Sequence, residues 1–364
     1  MKNHKAFAAI APGLERVLHA ELAELGVTGD VEPGGVAFEA TSKNLALVHR
    51  NSRLAGRVTV ELGGTKARSL EEVARGARAL PWKDFVVPGQ PIEVKIITEG
   101  HQHRFAATFS KKIELAISDS LRGPRLPGPR PPREPFRVQC VIEDEKAKLR
   151  VDASGDLLHR RGWRLATAKA PLRENLAAAV LLAVGWTPDE PLVDPMCGSG
   201  TFAIEAAGMA MGHAPGTRGK FGFLTWPSFD KRAWTALDKK PISRGQAPIV
   251  AADRDAGAIR ATRENADRAQ VTKRISIVES DVRNLEAPAD HGLVVANPPW
   301  GDRIERREPA WRSLGDAMHG KFSGWGLAVL SPDRSFLADI KMQLEPVLTF
   351  PSGGTRITLY ASER

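Results

Sequence analysis

Four apolar runs between residues 191 and 304 each stop at an acidic or amide side chain, and that repetition restricts the fold more than any other feature of the chain. "PLVD" ends at Asp194, "PIVAAD" at Asp253, "ISIVESD" at Asp281 and "LVVAN" at Asn297. Short continuous apolar runs suit strands buried on both faces, as in a parallel sheet. Ligands bind open parallel sheets at the carboxyl edge. Each aspartate alone fits a helix cap or an exposed turn equally well. Four polar strand ends in succession are much harder to assign to chance.

The first of these strands runs into "DPMCGSGT" and then an apolar helix from Thr201. A strand, a glycine-rich turn and a helix open nucleotide-type α/β folds. Gly198 and Gly200 allow backbone angles and close ligand approach that side chains would forbid. No lysine follows the last glycine, which disfavours a triphosphate loop. Asp253, at the tip of the second strand, is placed to accept hydrogen bonds from a ribose diol. Asp255 can cap the helix after it, and Asp281 suits an adenine amine. The fourth strand ends on "NPPWGDRI". Proline has no N–H to continue a ladder, so the strand must stop on a stiff corner carrying Asn297 and Trp300. After it, "WGLAVLSP" reads as a fifth strand and "LEPVLTFPSGGTRITLYAS" as a hairpin turning at residues 352–354.

The chain has 364 residues, enough for two or three domains. Its two cysteines, Cys140 and Cys197, exclude a disulfide framework and a multi-cysteine zinc site, and suit a reducing cytoplasm. Only a broken apolar run follows the first methionine, so no secretory signal is expected, and no membrane helix or metal either. Net charge is +9, of which +7 falls in residues 1–165 and +2 in the rest. That asymmetry favours a polyanion, nucleic acid above all, as partner of the N-terminal half.

Leu14, Val17, Leu18, Leu22 and Leu25 step along a helix that ends at Gly26. A hairpin around Gly34 and Gly35 and a second helix over "SKNLALVHRNSRLAGRV" complete a small α+β, ferredoxin-like unit over residues 1–65. Residues 66–157 read as a further α/β segment: helix 69–79, strand "IEVKIIT", helix 106–122, then "FRVQCVIE" and "KAKLRVDAS". Six prolines and four arginines (Arg122, Arg125, Arg130, Arg133) fill residues 122–135. That stretch is either a solvated loop or an arm contacting phosphates. In "LLHRRGWRLATAKAPLRENL", Arg160, Arg161 and Arg164 beside Trp163 suit RNA, basic charge next to a stacking ring; an interdomain hinge with a packed tryptophan fits equally.

"DPMCGSGTFAIEAA", "DRDAGAIRATRENA", "ESDV" and "NPPWGDRI", in this order, resemble the Rossmann-fold S-adenosylmethionine-dependent RNA methyltransferases that carry a THUMP domain. The bacterial branch that forms N2-methylguanosine in 23S ribosomal RNA is the more similar one. It also shows counterparts of "PGLERVLHAELAELG", "GGVAFEA", "DASGDLLHRRGWR", "APLRENLAAA" and "APGTRGKFGFLTWPSFD", so the resemblance spans nearly the whole chain. It implies an α/β fold: a ferredoxin-like domain at 1–65, a THUMP domain at 66–157, a linker at 158–172 and a class I methyltransferase domain at 173–364. That last domain would have a seven-stranded mixed sheet and a terminal antiparallel hairpin. It implies S-adenosylmethionine held by Asp194, Met196, Cys197, Gly198, Ser199, Gly200, Thr201, Asp253, Arg254, Asp281, Val282 and Asn297. It also implies catalysis at Asn297, Pro298, Pro299 and Trp300. Relatives often have tyrosine where Trp300 stands, and many are fused to a second methyltransferase.

An aromatic amine is a poor nucleophile because its lone pair is delocalised. The Asn297 side-chain oxygen and the Pro298 carbonyl suit as acceptors for its two hydrogens. Trp300 suits stacking on the base, worth about 1–3 kcal/mol. A paired base must first leave its stack at a cost of roughly a few kcal/mol. Orientation of amine against methyl can supply about 7–11 kcal/mol. Cys197, inside the turn, reads as a packing residue. Asp302 and Arg303 either brace the corner or touch substrate. Rival readings are a transfer RNA substrate, amine methylation of adenine or a protein glutamine, and an inactive RNA-binding assembly factor. A dinucleotide-dependent oxidoreductase is the weakest, since it leaves the Pro-Pro corner without a role.

Overall fold

A computed structural model describes residues 4–98, 106–122, 131–165, 172–238, 240–299 and 304–363. The N-terminal part runs β1 (Lys5–Ala9), α1 (Glu15–Glu24), β2 (Gly29–Glu32), β3 (Gly35–Glu39), α2 (Ser42–Asn51) and β4 (Arg57–Lys66). It continues through α3 (Leu70–Arg78), β5 (Ile92–Thr98), α4 (Ala106–Ser120), β6 (Phe136–Glu143) and β7 (Lys146–Asp152). The sequence reading extends the second helix through residue 58, but α2 stops at Asn51. Half-buried Glu21 accepts from the backbone N–H groups of Arg53 (2.7 Å) and Leu54 (3.3 Å) and from the Ser52 hydroxyl, drawing the chain out of the helix.

These seven strands form one sheet, ordered β2-β3-β1-β4-β7-β6-β5. The first four strands have the ferredoxin-like order. The sheet does not break at residue 65, because β4 pairs antiparallel with both β1 and β7. Burial alternates along β1, β6 and β7, while residues 35–38 of β3 and 58–60 of β4 are buried throughout. In β7, Ala147, Leu149 and Val151 are buried while Lys146, Lys148 and Arg150 point the other way, so helices cover one face.

The C-terminal part contains α5 (Glu174–Ala183), β8 (Leu192–Asp194), α6 (Thr201–Ala210), the short α7 (Arg232–Thr235), β9 (Ile249–Asp253) and α8 (Ala256–Ala269). After these come β10 (Ser276–Glu279), β11 (Leu293–Ala296), α9 (Ile304–His319), β12 (Gly326–Ser331), β13 (Glu345–Ser352) and β14 (Thr355–Ala361). Its sheet is ordered β10-β9-β8-β11-β12-β14-β13. The first five strands are parallel and β14 is antiparallel to both neighbours. The β13–β14 turn passes through Gly353 and Gly354, both at positive φ (59° and 86°), as a two-residue hairpin turn requires.

Every residue of β8 and β11 is buried. Leu192, Ala251, Leu293 and Val295 belong to a core shared with α5, α6 and α8. Val193, Val250, Val294 and Ala296 face the opposite layer, where Trp311 and Leu314 of α9 pack with Phe322 and Trp325. The first of these cores continues without a break into the N-terminal helices and sheet. The two parts touch closely: a Cβ on Gly13 would overlap the Thr349 carbonyl, and one on Gly216 the His49 carbonyl. Residues 221–230 reach back from the C-terminal part as a clasp. Phe223 N–H bonds the Ala153 carbonyl (3.0 Å), Ser228 N–H that of Asp84 (3.0 Å), and Trp226 packs edge-on against Phe85.

Candidate active site

The carboxyl ends of β10, β9, β8 and β11 lie side by side, carrying Asp281, Asp253, Asp194 and Asn297 to one edge. Val294 stands opposite Val193, so Asn297 and the turn that begins after Asp194 follow adjacent parallel strands at the same edge.

The glycine turn is sewn to its surroundings. Cys197 N–H bonds the Ala252 carbonyl (2.9 Å), and Gly198 N–H donates to Asp253 Oδ2 (2.9 Å). Thr262 Oγ1 donates to the Gly198 carbonyl (2.9 Å), and Asn265 Nδ2 to that of Ser199 (3.1 Å). Gly200, at φ 82°, starts α6 and passes so near Thr262 that an added Cβ would lie 2.7 Å from its methyl. Thr262 and Asn265 escaped the sequence reading. The signal for them is the buried stripe of α8, where Ile259, Thr262, Asn265 and Ala266 recur at helical spacing. Two of its members are polar, and both face the turn.

Burial dominates the electrostatics. It holds the Asp194 carboxyl well above the usual carboxylate range; the Met196 N–H (3.4 Å) opposes this and the Asp253 charge adds to it. No cation pairs with Asp194 among the described residues. Burial also keeps the Cys197 thiol protonated, as befits a packing residue. Asp281 behaves differently: its ion pair with Arg283 (2.9 Å) holds its carboxyl low. It also accepts the Arg283 N–H, and Asp255 caps α8 through the N–H groups of Gly257 and Ala258. Asp253 accepts the backbone N–H groups of Gly198 and Asp255, and Asp281 that of Arg283, which leaves further lone pairs for a ligand. Met196 is half-buried, Val282 buried and Arg254 exposed beside them. At the corner Asn297 is half-buried, Pro298 buried and Pro299 exposed, and Trp311 Nε1 donates to the Pro299 carbonyl (3.3 Å). Trp300, Asp302 and Arg303 lie outside the described residues.

The turn suits an S-adenosylmethionine. Among the described residues, buried Asp194 lacks a cation and the buried Ser199 hydroxyl has no partner, while Gly198 leaves open space at the sheet edge.

The arginines proposed for RNA divide. Arg122, Arg133 and Arg160 are exposed, and Arg125 and Arg130 lie outside the described residues. Arg161 and Arg164 face inward instead. Arg161 is 7% exposed, pairs with Glu205 (3.5 Å) and donates to the Leu158 and Arg53 carbonyls. Arg164 pairs with Glu174 (3.0 Å) and reaches Thr201 Oγ1 (3.0 Å). A buried guanidinium is tolerated only with such partners, and apart from the Leu158 carbonyl these lie 10 to 108 residues away in the sequence.

Strand order 3-2-1-4-5-7-6, with a glycine turn after the first strand, defines a class I methyltransferase fold. The chain belongs to the RMKL-like methyltransferase family, whose domain model matches residues 161–349, while the RlmL ferredoxin-like domain model matches residues 5–59. Among solved structures it is similar to SMU.472 in complex with SAH, at 27% identity and TM-score 0.89 with 100% of both chains covered. A protein of Listeria monocytogenes str. 4b F2365, described as a predicted N6-adenine-specific DNA methylase, is 29% identical with TM-score 0.87, covering 98% of this chain and 95% of its own. TrmN from Thermus thermophilus shares the fold at 21% identity and TM-score 0.70, with 100% of both chains covered.

Proposed function

We propose that this chain methylates the exocyclic N2 amine of guanine in RNA, with 23S ribosomal RNA as the substrate. S-adenosylmethionine is the methyl donor and supplies an electrophilic methyl sulfonium when bound. The observation that carries the reading is the register: Asn297 and the glycine turn leave adjacent parallel strands at the same edge. The Asn297 side-chain oxygen and the Pro298 carbonyl accept the two amine hydrogens and localise its lone pair. Trp300 stacks on the extruded base. Transfer is direct and in line, and the amine proton leaves to water, with Asn297 holding it only by a hydrogen bond. Residues 66–157 act as the THUMP domain that grips RNA, with Arg122, Arg125, Arg130, Arg133 and Arg160 toward phosphates. Arg161 and Arg164 are not part of that grip.

Replacing Asn297 by Ala tests the reading. Turnover on ribosomal RNA should fall at least about a hundredfold, the scale set by losing one preorganised catalytic contact. Calorimetric affinity for S-adenosylhomocysteine should stay within about threefold, as for a contact made mainly in the transition state. Mass spectrometry of digested RNA should show N2-methylguanosine. N6-methyladenosine instead would move the substrate to adenine, the base in the description of the Listeria relative. Undiminished turnover would remove the mechanism.

A further inference from the structure

Arg164 holds a donor that the fold leaves unused. Its Nε bonds Glu174 Oε1 (3.0 Å), and its Nη2 bonds the Leu172 carbonyl (2.9 Å) and Thr201 Oγ1 (3.0 Å). Its guanidinium also lies over the Trp163 ring, 5.1 Å from the centroid. Nη1 is buried and has no hydrogen-bond partner among the described residues. The side chain is only 11% exposed, so solvent does little for that orphan donor. A buried unpaired donor costs about 1–3 kcal/mol, and more on a charged group.

The surroundings make the cation's position more telling. Glu174 begins α5 and Thr201 begins α6, so two helix N-termini meet at the guanidinium. Each carries roughly half a positive charge. Against three positive sources, Glu174 is the one carboxylate that Arg164 contacts among the described residues. Such a spot favours one more anion.

The segment is also fixed against the glycine turn. Arg268 Nε bonds the Trp163 carbonyl (2.9 Å), and the Leu165 N–H reaches Asn265 Oδ1 (3.4 Å). Asn265 in turn holds the Ser199 carbonyl. Asp194 enters the same turn with a buried carboxylate and no cation among the described residues. The turn is thus flanked by an unfilled donor after its last glycine and an unfilled acceptor before its first. An amino-acid zwitterion supplies both complements.

We propose that Arg164 binds the α-carboxylate of the methyl donor through Nη1, while Asp194 faces the ammonium end. The proposal rests on S-adenosylmethionine as donor and not on guanine as acceptor, so the two can fail separately: one is read by cofactor binding, the other by the methylated base.

The test is calorimetry with S-adenosylhomocysteine and with its decarboxylated analogue, S-adenosyl-3-thiopropylamine. Wild-type protein should bind the analogue roughly ten- to hundredfold more weakly, the scale of a charge-assisted hydrogen bond. In Arg164→Gln that gap should shrink to within about threefold, because only the carboxylate-bearing ligand loses affinity. Arg164→Lys, which keeps the charge without the fork, should fall between. Equal wild-type affinity for both ligands overturns the proposal, and needs no variant to fold. So does an undiminished gap in a folded Arg164→Gln, since a residue that merely ties α5 to α6 would weaken both ligands alike.

Discussion

The two seven-stranded sheets solve the same burial problem in opposite ways. In the N-terminal sheet, residues of one strand alternate between core and outside, and helices cover one face. The C-terminal sheet buries β8 and β11 completely between α5, α6 and α8 on one side and α9 on the other. A sheet sealed on both faces can present a ligand only at its strand ends, which is where the polar residues collect. The half-covered sheet keeps a face whose side chains are largely charged. The chemistry belongs to the sealed sheet, and the open one is free to meet a large partner.

The largest expected effect comes from stripping the second cover. Trp311→Ala should cost about 3–5 kcal/mol, measured by denaturant unfolding, as for other fully buried large-to-small changes. Since Trp311 Nε1 also holds the Pro299 carbonyl, activity should fall further than the loss of folded protein explains. Next, Val295→Thr in β11 should cost about 1–3 kcal/mol, because the hydroxyl enters a site closed on both faces.

A pH effect of similar size belongs to the seam between the parts. His49, packed against Phe221 and Phe223, has its pKa lowered from 6.5 to about 4 by burial, with the Leu45 carbonyl opposing. The folded state therefore refuses a proton that the unfolded chain accepts. Stability should fall as pH drops from 6.5 towards 4, by on the order of 2 kcal/mol between pH 7 and pH 5. Urea midpoints should show this loss, and His49→Asn should flatten it. The smallest effect is Val141→Thr in β6, at a half-buried position of the open sheet, expected within about 0.5 kcal/mol. If it cost as much as Val295→Thr, the contrast between the sheets would be wrong.

Much of this was legible in the chain because it is local. Continuous apolar runs announced β8, β9 and β11, and the Gly353–Gly354 pair announced the hairpin. The segments "FRVQCVIE" and "KAKLRVDAS", read as strands, form β6 and β7. What stayed hidden depends on pairings distant in sequence. The β4–β7 ladder that fuses the N-terminal units joins Val60 to Val151, and no periodicity reports that. Arg161 and Arg164 looked like RNA contacts because a sequence shows their charge but not Glu205 or Thr201 beside them. The turn's supports, Thr262 and Asn265, were present as polar breaks in an amphipathic stripe and needed the fold to give them meaning.

Glu205 receives both Arg53 and Arg161 in a nearly dry seam, one from the N-terminal sheet region and one from the bridging segment. Both pairs are nearly closed to solvent, so removing Glu205 alone would leave two buried guanidiniums short of a counter-charge, at a cost of about 3–5 kcal/mol. The two parts are therefore expected to unfold together, as a single calorimetric transition. On that expectation the span from the open sheet to the candidate site at the strand ends is a built-in dimension, set like the jaw of a fixed caliper.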